Sequence, residues 1–200
     1  MPDVLIARAE TSTPLILMSE AGFGDLSDEA LKGLAKGQDF KGQNGRILFE
    51  TGPTGQVSRV IAGVGKTPTD PMHARWLASR LPGGDYELAD VPDGLDTDLF
   101  AHGWAEGAYL FDRYKARPER GRARLVVGDG PGIQAARAVA AASLLVREMV
   151  DTPAQDMGPL QIETIAHEIA QAHGARLTVT TGEALLEENY PAIHAVGRAA

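Results

Sequence analysis

The strongest constraint on the fold of this chain is a change of helix at Arg147 to Pro159. An alanine-rich helix runs into Arg-Glu-Met-Val-Asp-Thr-Pro-Ala-Gln-Asp-Met-Gly-Pro, and a helix of different composition starts at the final proline. Six alanines between Ala135 and Ala142 give the first helix high propensity; its roughly 18 residues, to about Val150, would span about 27 Å. Its small side chains allow it to lie against another element or to bridge two domains, and the sequence does not choose between them. Pro159 suits the first position of the next helix, Ile162, Ile165, Ala166 and Ile169 mark one face, and Gly174 stops it. The stretch between the helices reads as a domain junction.

Before the junction, the pattern alternates short apolar runs with helical segments. Val4 to Ala7 and Leu15 to Met18 have the form of two strands with a turn between them. Gly22 to Gly24 break the chain, and Ser27 can cap a helix carrying Leu31 and Leu34. Arg46 to Glu50 and Val57 to Ala62 read as a hairpin around Thr51-Gly-Pro-Thr-Gly55. Asp70-Pro71 opens a helix with Trp76, Leu77 and Leu81, ended by Pro82-Gly-Gly. Tyr86 to Ala89 is a weak strand. Thr97 to Lys115 reads as a helix with Leu99, Trp104, Ala108 and Phe111 on a broad buried face. Leu125 to Val127 is a buried strand. Beyond the junction, Leu177 and Val179 alternate with Thr178 and Thr180 as a half-buried strand, and a short helix lies between Gly182 and Asn189. About fifty residues with at most two strand-like runs are too few for an independent covered sheet. That region either docks on the first domain or belongs to a longer chain.

Composition narrows the function. With 44% hydrophobic residues in 200, the chain has material for one core, or one core and part of another. No window reaches about 18 uninterrupted apolar residues, and the N-terminus lacks signal-peptide character, so no membrane is expected. Cysteine is absent, which removes disulfides and thiolate chemistry and fits a cytoplasmic chain. A net charge of −8 disfavours nonspecific nucleic-acid binding by the whole surface. One local cluster opposes that balance: Arg113, Lys115, Arg117, Arg120, Arg122 and Arg124. These six are candidate phosphate contacts, but a basic stripe is only a footprint, and a solvated connector before a strand explains it as well.

Other constellations fall short of chemistry. His167-Glu168 opens like a helical zinc motif, but position 171 is Gln, and His173 lies on another face. His194, between Ile193 and Ala195, reads as a packed or capping histidine. Gly65-Lys66-Thr67 ends like a P-loop, but the earlier glycine would fall at Val60. Gly128, Gly130 and Gly132 follow a strand, yet the third glycine of a dinucleotide fingerprint should sit at Ile133, so a tight turn is the better reading. No Gly-x-Ser-x-Gly elbow occurs. Nothing places two of Glu106, Asp112, Asp151 and Asp156 across a substrate.

Several segments, in order, carry a family likeness. They are Asp39-Phe-Lys-Gly42-Gln-Asn-Gly45, Glu106-Gly-Ala-Tyr-Leu-Phe-Asp-Arg-Tyr-Lys115, Arg147 to Pro159, Glu183-Ala-Leu-Leu186, and Asn189 to Ala200. Together the chain resembles the leucyl aminopeptidase (cytosol aminopeptidase) family. Asp151, Gln155 and Gly158 stand where that family often has Asn, Asn and Thr, which keeps the polar turn. The resemblance implies an α/β fold: a macro-like, mixed-sheet N-terminal domain over 1–130, a bridging helix over 131–150, and over 151–200 an incomplete start of an α/β catalytic domain. It also implies a complete enzyme that removes N-terminal amino acids from peptides with two divalent ions, zinc or manganese, and assembles as a homo-hexamer. The family's metal ligands and catalytic Lys and Arg lie in segments resembling Gly-Lys-Gly, Phe-Asp-Thr-Gly-Gly and Asn-Thr-Asp-Ala-Glu-Gly-Arg, which no stretch here matches. No catalytic, metal or cofactor-binding residue is therefore assigned, and the chain alone is expected to be inactive, with a structural, positioning or assembly role. Two alternatives remain: a nucleotide or ADP-ribose-like ligand at the glycine-rich loops of a macro-like domain, and nucleic acid at the arginine cluster.

Overall fold

The computed structural model describes residues 4–115 and 121–198. Intrachain contacts divide the chain into two units, Met1–Glu148 and Met149–Ala200.

The first unit is built on a six-stranded mixed sheet. Its strands are β1 (Leu5–Ile6), β2 (Thr13–Ser19), β3 (Ile47–Thr51), β4 (Val57–Gly65), β5 (Gly84–Asp90) and β6 (Ala123–Val126), in the order β1-β6-β5-β2-β4-β3. All neighbours are parallel except the β3–β4 hairpin, where Leu48 faces Ile61. The near-continuous apolar run Val60–Ile61–Ala62 through Val64 in β4 is what a parallel strand covered on both faces requires. Alternation sorts the side chains. Leu15, Leu17, Val60, Ala62 and Val64 point into the larger core, and Ile61, Ile16 and Met18 into the smaller one on the opposite face.

Helices cover both faces. The smaller core is closed by α2 (Glu29–Gly37) through Leu31 and Ala35, joined by Phe40 and by Phe23 of α1 (Glu20–Gly24). The larger core is closed by α3 (His73–Arg80), α4 (Thr97–Gly107) and the first half of α5 (Pro131–Asp151), through Leu77, Trp104 and Ile133. The alanine-rich helix therefore packs on the first unit over Ile133, Ala136 and Ala140.

Both strands expected near the N-terminus form, and β6 and β5 lie between them in the sheet, with Leu5 paired to Leu125. The structure corrects several expectations. The cap of α2 is Asp28, one residue later than Ser27, with Oδ1 accepting from the Leu31 amide at 3.0 Å. Residues 20–24 form a short helix, because the Ser19 hydroxyl accepts from the Gly22 amide at 2.9 Å. Helix α4 stops at Gly107 instead of reaching Lys115. There the chain passes so close to the Arg75 carbonyl that a Cβ would overlap it. The buried face of α4 is Phe100, Ala101, Trp104 and Ala105, one step round from the expected one, and Leu99 is 49% exposed.

The second unit holds α6 (Pro159–His173), α7 (Ala184–Glu187) and α8 (Pro191–Gly197). Pro159 opens α6, and Gly174 closes it in the left-handed region at φ 63°. The expected strand at 177–180 is absent: no described residue pairs with it, and Leu177 and Val179 are 37% and 42% exposed. Alternation sets which way side chains would face, but a strand exists only through its neighbour's hydrogen bonds.

Candidate functional site

Arg113 and Arg122 of the basic cluster line a cleft at the end of α4. The cleft has a volume of about 350 Å³; Val4, Ala105 and Leu144 form an apolar wall, and Asp112, Arg113 and Arg122 contribute charge. Gly107 ends α4 so that Tyr109 to Arg113 turn along one side of this space.

The six sequence-selected cations differ in their surroundings. Arg124 is fully engaged: Nε and Nη2 donate to the two carboxylate oxygens of Asp85 at 2.6 and 2.8 Å, tying β6 to β5. Arg122 donates to the Ala108 carbonyl at 3.5 Å and stands 3.8 Å from Asp112. Arg113 lies 5.8 Å over the Tyr114 ring. Lys115 is exposed, and Arg117 and Arg120 lie outside the described residues. Pairing with Asp85 and Asp112 reduces the positive field that a phosphate backbone would meet.

A second cluster joins two of the segments that carry the family likeness, and no sequence motif marks it. Arg147 donates to the Glu106 carbonyl at 2.8 Å, stands 3.5 Å from Glu106 Oε2, and lies 4.1 Å over the ring of Tyr109. The segments beginning at Glu106 and at Arg147 therefore meet in space. Glu106 Oε1 and His102 Nε2 are buried without a hydrogen-bond partner, 3.7 Å apart. An i, i+4 spacing of His and Glu was the available signal.

The glycine-rich loop at the end of β4 is filled by the chain itself. Gly65 donates to the Gly42 carbonyl and Gly63 to the Arg46 carbonyl, both at 2.8 Å. A Cβ at Gly63 would overlap the Gln43 carbonyl oxygen, so residues 42–44 fill the space at the end of β4. At the start of α5, a Cβ on Gly132 would overlap the Asp98 carboxylate, which places an anion of the chain's own beside that helix terminus. Buried His73 holds the loop after β4 through Nε2 and the Thr67 carbonyl at 2.9 Å. Burial of Tyr86 pushes its hydroxyl pKa up, and the protonated phenol donates to the Pro82 carbonyl at 2.9 Å.

In the second unit, His167 stands 3.8 Å from Glu163, and His194 lies 3.3 Å from Glu183 Oε1, linking α8 to the start of α7. Among the described residues no three His, Asp or Glu side chains come together in a set that could hold a metal ion, and no helix is long and apolar enough to cross a membrane.

Comparison with known proteins identifies the family. The model for the M17 aminopeptidase, N-terminal domain, matches residues 13–128. A Streptomyces avermitilis protein named "Probable cytosol aminopeptidase" is 26% identical over 187 residues, covering 78% of this chain and 36% of its own length. The Streptomyces coelicolor protein of the same name is 27% identical over 194 residues, covering 78% and 38%. The chain thus spans less than two-fifths of the length of these curated relatives. The crystal structure of cytosol aminopeptidase from Coxiella burnetii superposes with TM-score 0.75 at 23% identity, over 91% of this chain and 40% of that one. The bottromycin maturation enzyme BotP in complex with Mn gives TM-score 0.68 at 20% identity, over 90% and 40%. These superpositions establish the mixed α/β fold, and the family match, covering more than half the residues, establishes that the chain belongs to the M17 aminopeptidase family through its N-terminal domain.

Proposed function

We propose that this chain is the N-terminal portion of a metal-dependent aminopeptidase, and that it folds and positions the catalytic portion without performing catalysis itself. Residues 1–130 act as a macro-like domain, 131–150 as a bridging helix and 151–200 as the beginning of the catalytic domain. The mixed six-stranded sheet with helices on both faces supports the first assignment.

The second unit carries most of the weight of this reading. Leu160, Ile162, Ile169 and Ile193 are between 44% and 66% exposed, and 177–180 has the alternation of a strand without a paired neighbour. Such a surface is completed when further chain covers it. The curated relatives have that additional length. In the complete enzyme, two divalent ions, zinc or manganese, would polarise the scissile carbonyl and activate a water. The described side chains offer no set that fits such a pair; the ligands belong to the portion that the relatives carry beyond the matched region. A neighbour solved with Mn supports manganese as one of the candidates. Assembly as a homo-hexamer and a cytoplasmic location belong to the same reading; the relatives' name, cytosol aminopeptidase, supports the location.

The test is direct. Residues 1–200, supplied with Mn²⁺ or Zn²⁺ and leucine p-nitroanilide, are expected to release nitroaniline no faster than the metal alone. Metal-dependent turnover by the purified chain would overturn the assignment.

A further inference from the structure

Arg122 is the described member of the basic cluster that combines spare donor capacity with a cavity. A guanidinium offers five N–H donors in a fork suited to a carboxylate. Arg124 places its fork on Asp85, whereas Arg122 has one long hydrogen bond, 3.5 Å to the Ala108 carbonyl, and a carboxylate at 3.8 Å. Its side chain is 32% exposed, and that of Asp112 is 54% exposed. Both line the cleft of about 350 Å³, a size within the roughly 300–1,000 Å³ typical of small-molecule sites.

The lining discriminates between ligand classes. Among the described residues, its charged groups are Asp112 and Glu148 beside Arg113 and Arg122. A phosphate-rich ligand would meet two carboxylates, and a purely apolar one would take both Arg122 and Asp112 out of water, which costs each ion its hydration. Arg113 and Glu148 are engaged with other groups of the chain, which leaves Arg122 and Asp112 as the pair facing a ligand. Beside them, Val4 and Ala105 are 8% and 4% exposed and, with Leu144, form an aliphatic wall.

We propose that this cleft binds a free α-amino acid with an aliphatic side chain. Its carboxylate takes the Arg122 fork, its ammonium takes Asp112, and its side chain rests on Val4, Ala105 and Leu144. Both charged groups of an amino acid hang from one carbon through bonds of about 1.5 Å, so they sit side by side, as Arg122 and Asp112 do. The cleft lies wholly within the first unit and does not depend on the aminopeptidase reading.

Titration of residues 1–200, followed by amide chemical shifts, tests the proposal. L-Leucine is expected to give saturable shifts at Ala105, Leu144 and their neighbours. L-Leucinamide, which lacks the carboxylate, and N-acetyl-leucine, which lacks the ammonium, should bind at least about tenfold more weakly, the size of one lost charged contact. Arg122→Gln should weaken leucine binding by a similar factor while the remaining spectrum is retained; should that variant not fold, the ligand series decides alone. Absence of saturable shifts with leucine, equal binding of leucine and leucinamide, or tighter binding of inorganic phosphate would each overturn the proposal.

Discussion

Replacing Trp104 with alanine is expected to destabilise the first unit by about 3–5 kcal/mol, the range for emptying a large aromatic site in a core. Trp104 is fully buried, with ring centroids 6.1 Å from Tyr86 and 6.4 Å from Phe100, and its indole N–H donates to the Ala123 carbonyl at 3.2 Å. Truncation opens a cavity among residues from α4, β5 and β6 and leaves that carbonyl without its indole donor. Against a typical total of about 5–15 kcal/mol, this removes a large fraction of the stability. Urea unfolding followed by far-UV circular dichroism measures it as a lower midpoint at unchanged slope. A loss below about 1 kcal/mol would mean that the indole does not sit where the larger core closes.

Gly42→Ala is the second large effect, and it acts through the backbone. Gly42 has φ +76°, a region that costs a residue with a Cβ roughly 1–2 kcal/mol. The new methyl would also lie 2.7 Å from the Ser19 carbonyl carbon and overlap its oxygen. Overpacking of this kind typically adds about 1–3 kcal/mol. The total expected is about 2–5 kcal/mol. Gly33→Ala provides the contrast, because Gly33 lies within α2 with nothing within 4 Å of its added methyl. That variant should gain up to about 1 kcal/mol from helix propensity. Equal effects from the two substitutions would remove the close approach of residues 42–44 to the strand ends as the reason for the glycine.

Local chemistry was legible in the sequence, and pairing was not. The β3–β4 hairpin could be read because Thr51 to Gly55 supply the turn between two apolar runs. Strand β5 gave a weak signal despite its place between β2 and β6, because Asp85, Glu87 and Asp90 dilute it to one buried side chain, Tyr86. The neighbour of β1 is about 120 positions away, at Leu125, and no periodicity encodes that. The end of α4 depended on Gly107 meeting Arg75 of another helix, so a continuous helical pattern overran it. The candidate site followed the same rule. Six cations were visible as a charge cluster, but Asp85, which engages Arg124, lies 39 positions upstream. The aliphatic wall under Arg122 comes from β1's flank, α4 and α5, three parts of the chain that only the fold assembles.

The first unit closes its own sheet and core, whereas in the second Leu177 and Val179 are exposed and 177–180 pairs with no described residue. Amide hydrogen exchange on residues 1–200 tests this contrast most directly. Leu15, Leu17, Val60 and Ile61, within β2 and β4, should exchange only through near-global opening, whereas Leu177, Thr178, Val179 and Thr180 should exchange at close to the unprotected rate. Protection of Leu177 and Val179 matching that of Leu15 and Val60 would show that this segment is already paired and contradict the proposal that the second unit begins a larger catalytic domain.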